Sequence, residues 1–157
     1  MSIQNNGQLQ EAVEKISLHF FGRPFLHVAT FNGRLKTTGG RYHMGSHNLD
    51  FNPKVLSKYG IDELIGVIKH ELCHYHLHLA GKGYQHKDRD FKELLQRTQG
   101  SRYVRSLIDQ EQMHTYQCQD CEILIHRKRR INLNRYVCGN CRGELRPVNE
   151  SNLAEIQ

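Results

Sequence analysis

The chain has 157 residues, with 22 Lys or Arg against 16 Asp or Glu, a net charge of +6 and five cysteines. That length suits one domain with a sizeable core plus a small appendage. No run approaches the ~18 apolar residues of a membrane span, and residues 1 to 20 show no basic-then-apolar export signal, so a cytoplasmic protein with no membrane partner is expected.

Leu9, Ala12, Val13, Ile16 and Phe20 recur at helical spacing and predict an opening helix. Phe25 to Phe31 has the aromatic and β-branched character of a strand, and Asn32-Gly33 predicts a hairpin turn after it. A second strand is expected from Arg34 to Thr38, broken or bulged by Gly39-Gly40, and a third near Asn48 to Phe51 before Pro53.

The next element carries the chemistry. Ile61, Leu64, Ile65, Ile68, Leu72, Tyr75 and Leu79 fall within about 100° of a helical wheel, an amphipathic stripe facing a core. Asp62 is the expected N-cap and Gly81 the expected stop. Off the stripe lie His70, Glu71 and His74 of His70-Glu71-Leu72-Cys73-His74. Residues four apart on a helix sit one above the other, so the two imidazoles can grip one zinc ion while Glu71 leans toward its free position. Gly66 lies on the same side, leaving room for substrate or a strand. Cys73 reads as a buried small hydrophobe.

A catalytic zinc needs a third protein ligand and one open position. His78 is two turns from His70, roughly 12 Å along the axis, and His76 points elsewhere. His86 is the better candidate, because Gly81 and Gly83 let the chain reverse before a second helix that opens at Asp88 and aligns Phe91, Leu94 and Leu95. His43 and His47 stand as substitutes. Tyr103, Val104, Leu107 and Ile108 then mark a last helix.

A polar stretch from Asp109 to His114 suggests a boundary, giving a catalytic domain over 1–112, a ribbon over 113–148 and a flexible tail over 149–157. In the ribbon, Cys118-Gln119-Asp120-Cys121 and Cys138-Gly139-Asn140-Cys141 form two knuckles. Four thiolates close every coordination position, so a zinc there would be structural, and a disulfide framework is the alternative in an oxidising compartment. Residues 115–148 hold seven Lys or Arg against three acids. Arg127, Lys128, Arg129, Arg130 and Arg135, with Tyr116 and Tyr136 as stacking faces, suit a phosphate backbone with unstacked bases; a solvated surface explains them too.

The histidines at 70, 74 and 86, the segment Leu49-Asp50-Phe51-Asn52-Pro53 and the cysteine ribbon resemble the SprT-like metalloproteases over roughly residues 9 to 147. The resemblance implies an α+β, zincin-like metalloprotease domain with a C-terminal zinc ribbon, one catalytic zinc on His70, His74 and His86, and Glu71 as general base. It also points to DNA, since the family includes a protease of DNA-crosslinked proteins. Lys87-Asp88 stands where the family commonly has Gly-Pro after the third histidine.

The expected reaction is peptide-bond hydrolysis on a protein or peptide substrate. Water acidified by the metal toward a pKa of about 7 would lose its proton to Glu71, with Tyr84, Tyr75 or Tyr42 as candidate donors to the oxyanion. By analogy with zincins, an extended substrate would add to a sheet edge at Thr37 to Tyr42 or Ser46 to Asn52. Two rivals remain: a zinc hydrolase of another substrate, and a non-catalytic zinc- and DNA-binding module in which His43 or His47 closes the helix site.

Overall fold

The computed structural model describes residues 2–108 and 113–148. The chain forms two units, 1–107 and 108–157. Of the expected boundary stretch, Asp109 to His114, residues 109–112 fall outside the described residues, as does the expected tail, 149–157.

In the first unit α1 spans Asn6–Ile16, capped by the Asn5 side chain, which accepts from the Gln8 amide at 2.9 Å. Leu9, Ala12, Val13 and Ile16 are buried as the spacing predicts. A π-helical turn, Ser17–Phe21, follows, and the extra residue per turn rotates Phe20 off the apolar face. Phe20 instead packs under the Lys69 ammonium, 3.6 Å from its ring centre.

Three short strands, β1 (Ala29–Phe31), β2 (Gly40–Tyr42) and β3 (Leu49–Phe51), form a sheet in the order β1-β3-β2. β1 runs parallel to β3, and β2 antiparallel to it. Asn32-Gly33 therefore does not make a hairpin, and Arg34 to Thr38 is no strand. The reason is Asn52, only 1% exposed, whose side-chain amide donates to the carbonyls of Leu35 and Thr38. These bonds, with burial of Leu35, hold the segment as an irregular excursion. β3 is central and β2 lies at an edge, so of the two segments expected beside the cleft only the one ending in β2 presents a free edge.

Asn52 also caps α2 (Pro53–Tyr59), accepting from the Lys54 amide at 3.0 Å. α3 (Ile61–Leu79) starts two residues earlier than expected: Gly60, at φ 88°, occupies the N-cap, and Asp62 lies in the first turn. Gly81 ends it as predicted, at φ 67°, with its amide on the His78 carbonyl and the Lys82 amide on that of Leu77. Leu64, Ile68, Leu72 and Tyr75 enter the main core, whereas Leu79 is exposed. On another side Cys73 and Leu77 pack with Phe91, Leu94 and Leu95 of α4 (Arg89–Thr98).

No helix follows α4 among the described residues. Gln99 turns left-handed at φ 58°, and residues 100–107 run as an irregular strap. The Ser101 amide donates to the Gly66 carbonyl at 3.0 Å, the Tyr59 hydroxyl donates to the Ser106 carbonyl, and Leu107 is buried in the main core. Val104 and Leu107 are apolar because they pack into the core of the first unit, whereas Tyr103 stays exposed, so their spacing does not reflect a helix.

The second unit is a three-stranded antiparallel sheet with β4 (His114–Cys118) between β5 (Leu124–Arg127) and β6 (Leu145–Pro147). Its core is Tyr116, Cys118, Cys138 and Leu145. Tyr116 is therefore not a free stacking face, and its hydroxyl accepts from the Ile131 amide. No helix among the described residues is long and apolar enough to cross a membrane.

Candidate metal centres

α3 presents His70 and His74 one turn apart, and the loop after Gly81 returns His86 over them. The three Nε2 atoms lie 2.9, 3.0 and 3.3 Å from one another. The Nδ1 atom of His70 donates to the Ser101 carbonyl at 2.7 Å, and that of His74 donates to the Tyr84 carbonyl at 2.6 Å. A neutral imidazole carries one N–H, so both Nε2 atoms present lone pairs. Lone pairs 3.3 Å apart repel unless a cation lies between them. Tetrahedral zinc with Zn–N bonds near 2.05 Å spaces its nitrogens about 3.3 Å apart, so this donor set fits such an ion.

Protonation agrees. Burial pulls the His74 imidazole down to about 4 against the opposing Tyr84 carbonyl, and burial likewise lowers His70. Both stay neutral near pH 7, the form that binds a metal. Phe91 supports all three rings, with centroids 4.5 to 5.3 Å away. The sequence pattern marks Phe91 only as core; its role beneath the ligands comes from the angle at which α4 meets α3.

No fourth His, Cys, Asp or Glu joins this group among the described residues. His43 donates to Asp50 at 2.8 Å, and His47 and His78 both bond the Tyr42 hydroxyl, so none of the three belongs to the cluster. His76 faces the opposite way and meets Ser17 at 2.7 Å.

Glu71 is 7% exposed, and burial pushes its carboxyl up to about 8. A cation held beside it acts in the opposite direction. The carboxylate fits only because position 40 is glycine: a Cβ there would stand 2.8 Å from Glu71 Cγ and 3.1 Å from Oε1. Gly66 serves the ligand instead of a substrate or strand, since a Cβ on it would stand 2.0 Å from Ser101 Oγ. Neither role is legible from sequence, because each depends on a partner 31 or 35 residues away.

A cleft of about 360 Å³ joins these groups. One wall is Thr37 to Gly40, leading into β2; the other is Ser101 to Val104 of the strap; His70, Glu71, His74 and His86 lie between. Of the tyrosines expected as oxyanion donors, Tyr75 bonds His27 and the Leu26 amide, Tyr42 bonds two histidines, and Tyr84 bonds Met44. None of them lines the cleft; Arg102 and Tyr103 do. Cys73 is buried against Thr98, and its thiol is pushed up to about 12, chiefly by burial, so it is inert.

In the second unit Cys118, Cys121, Cys138 and Cys141 bring their sulfurs within 4.8 Å of one another. The closest pairs are 3.4 and 3.7 Å apart, too far for the ~2.05 Å of a disulfide. Amides of Cys121, Asn140 and Gly143 point at Cys118, Cys138 and Cys141 sulfurs at 3.4 to 3.5 Å. The residues after each knuckle, Glu122 and Arg142, both turn left-handed, at φ 60° and 64°, so the two halves repeat one geometry. Arg127, Lys128, Arg129, Arg130 and Arg135 are all exposed, from the end of β5 into the following loop, and Arg135 lies 5.9 Å over the exposed Tyr136 ring.

The SprT-like family profile matches residues 9–116. A protein of Enterococcus faecalis named "Protein SprT-like" is 67% identical over 139 residues, covering 87% of this chain and 91% of that protein. Proteins of the same name from Geobacillus kaustophilus and Bacillus cereus are 54% and 49% identical over 143 and 147 residues, with 88% and 92% of this chain and 96% and 97% of theirs aligned. No solved structure matches. With most of the chain and most of each relative aligned at such identity, this protein belongs to the SprT-like family.

Proposed function

We propose that the chain is a zinc-dependent metallopeptidase of zincin-like architecture. The observation that carries this reading is the meeting of three imidazole nitrogens, two of them with lone pairs fixed by backbone carbonyls, beside a buried carboxylate in an open cleft. His70, His74 and His86 would hold the ion, whose contribution when bound is to acidify water and polarise a carbonyl oxygen. Glu71 takes the proton of the attacking water and returns it to the departing amine. Arg102 and Tyr103 supply donors on the facing wall. The outer edge of β2 offers backbone groups to an extended peptide.

The four ribbon cysteines would hold a second, structural zinc. The exposed cations beside them fit a nucleic-acid backbone, which makes DNA-associated or DNA-crosslinked proteins the favoured substrate class.

The test compares native protein and Glu71→Gln on an unfolded protein and on a protein–DNA conjugate. Both should carry two zinc ions per chain, and the variant should lose roughly 10²- to 10⁴-fold in rate. Equal proteolysis by the variant would remove Glu71 from the reaction.

A further inference from the structure

A second cavity, of about 740 Å³, adjoins the cleft. It shares His70, His86, Arg102 and Tyr103 with the cleft but touches neither Glu71 nor His74. A substrate seated over the metal ligands therefore reaches it without leaving the protein surface. We propose that this cavity receives a bulky apolar side chain, preferably aromatic, of the residue beside the scissile bond, and turns away lysine and arginine. The proposal rests on the peptidase reading.

The chemistry of the lining sets the preference. Phe91 and Leu95, 2% and 8% exposed, bring apolar surface from α4, and the glutamines at 96 and 99 add neutral polar groups. The charged residues lining the cavity are Lys92 and Arg102, with no carboxylate to pair an incoming cation. The volume lies within the range of small-ligand sites and exceeds that of one aromatic side chain, so entry needs no repacking.

The walls are built in place by the turn that ends α4. Gln99 holds a left-handed φ of 58°, a conformation that favours glycine. At Gly100 a Cβ would stand 2.6 Å from Leu95 Cδ1 and 3.3 Å from the His70 amide nitrogen, so only glycine lets the strap pass this close to both helices. The strap then sets Tyr103 at the mouth. Tyr103 is 76% exposed, with the Arg102 guanidinium 5.2 Å from its ring centre. An aromatic substrate side chain would cover that ring and gain its apolar surface.

The test uses zinc-loaded full-length protein and peptidyl hydroxamates that carry a benzyl, methyl or aminobutyl group next to the chelating end, with binding read by calorimetry. The benzyl probe should bind at least roughly tenfold tighter than the other two. Gln96→Trp, an exposed position that can fill the cavity without disturbing the core, should erase the benzyl advantage and spare the methyl probe. Lys92→Glu should improve the aminobutyl probe alone. Equal affinities for the three probes, or a benzyl advantage that survives Gln96→Trp, would overturn the proposal. So would displacement of the benzyl probe by a short oligothymidylate, which would make the cavity a nucleobase site. Failure of the peptidase reading has a different signature: the benzyl preference persists while no peptide is cleaved by native protein.

Discussion

The two clusters able to hold a metal ion are supported by backbone groups of opposite polarity. Behind the imidazoles stand carbonyls, of Ser101 for His70 and of Tyr84 for His74. Behind the thiolates stand amides, those of Cys121, Asn140 and Gly143. A carbonyl accepting from Nδ1 fixes the tautomer and makes Nε2 a better donor to the metal. An amide pointing at sulfur spreads the charge of four thiolates, which exceeds that of one divalent ion by two. Three neutral ligands leave an ion strongly electrophilic with a position to spare, whereas four anionic ones neutralise and enclose it. On the proposed reading, the difference gives reactivity to the first centre and cohesion to the second.

Removing the metals should expose that difference most sharply. The ribbon core contains two of its own ligands, Cys118 and Cys138, beside Tyr116 and Leu145. On the proposed reading a core this small folds only with a bound ion, to which structural zinc sites contribute on the order of 10–16 kcal/mol. The first unit has sixteen buried residues in its main cluster, none of them a metal ligand. Cys138→Ser, or a strong chelator, should therefore unfold the ribbon while the first unit keeps its helical circular dichroism and amide protection. Simultaneous collapse of both units would show that the histidine centre is also structural.

A smaller effect tests the carbonyl support. Gly66→Val would force Ser101 away from α3, because even one added carbon meets its side chain. His70 then loses its acceptor, and affinity for the ion at the histidine centre should fall by about 10–100-fold. Competition with a graded chelator would read this as one weakly held zinc beside one retained by the cysteines. Unchanged affinity at both centres would mean that the Ser101 carbonyl is incidental.

Much of this was legible in the sequence where local periodicity and local chemistry coincide. His70, Glu71 and His74 lie on one helix, and the cysteine knuckles are local turns, so their spacing alone places them together. His86 was accessible because Gly81 reverses the chain within a few residues. The sheet was harder. β1 pairs with β3, across twenty residues, and Asn32-Gly33 carries a hairpin signal that the buried Asn52 overrides through its bonds to Leu35 and Thr38. The Asn52-Pro53 pair starts α2, a helix missing from the expected order, in which the third strand near Asn48 to Phe51 leads to the helix at Ile61. The strap escaped because Val104 and Leu107 are apolar for tertiary reasons: Val104 fits against Gly39, whose Cβ would stand 2.7 Å from it, and Leu107 fills the main core.

The smallest expected effect concerns how the first unit is stabilised without a metal. Asp50, in the central strand, accepts from Asn32, Thr30 and His43 at 3.0, 3.3 and 2.8 Å. Burial alone would raise its carboxyl, but the bonds to Asn32, His43 and Thr30 and the charge of His43 outweigh it and hold the group below its ordinary value. A carboxylate depressed in the folded state adds stability above its unfolded pKa of about 3.9 and loses it as pH falls through the lower folded value. His43→Ala removes part of that depression, so acid unfolding of the first unit should begin at a higher pH than in native protein. His43 is 36% exposed, and solvent screening limits the contribution to roughly 0.2–1 kcal/mol. Urea unfolding of the metal-free protein between about pH 3 and 6 should show native protein ahead at the upper end and the two curves converging toward acid. A constant offset across that range would assign His43 to packing, leaving the charge on Asp50 to its neutral partners Asn32 and Thr30.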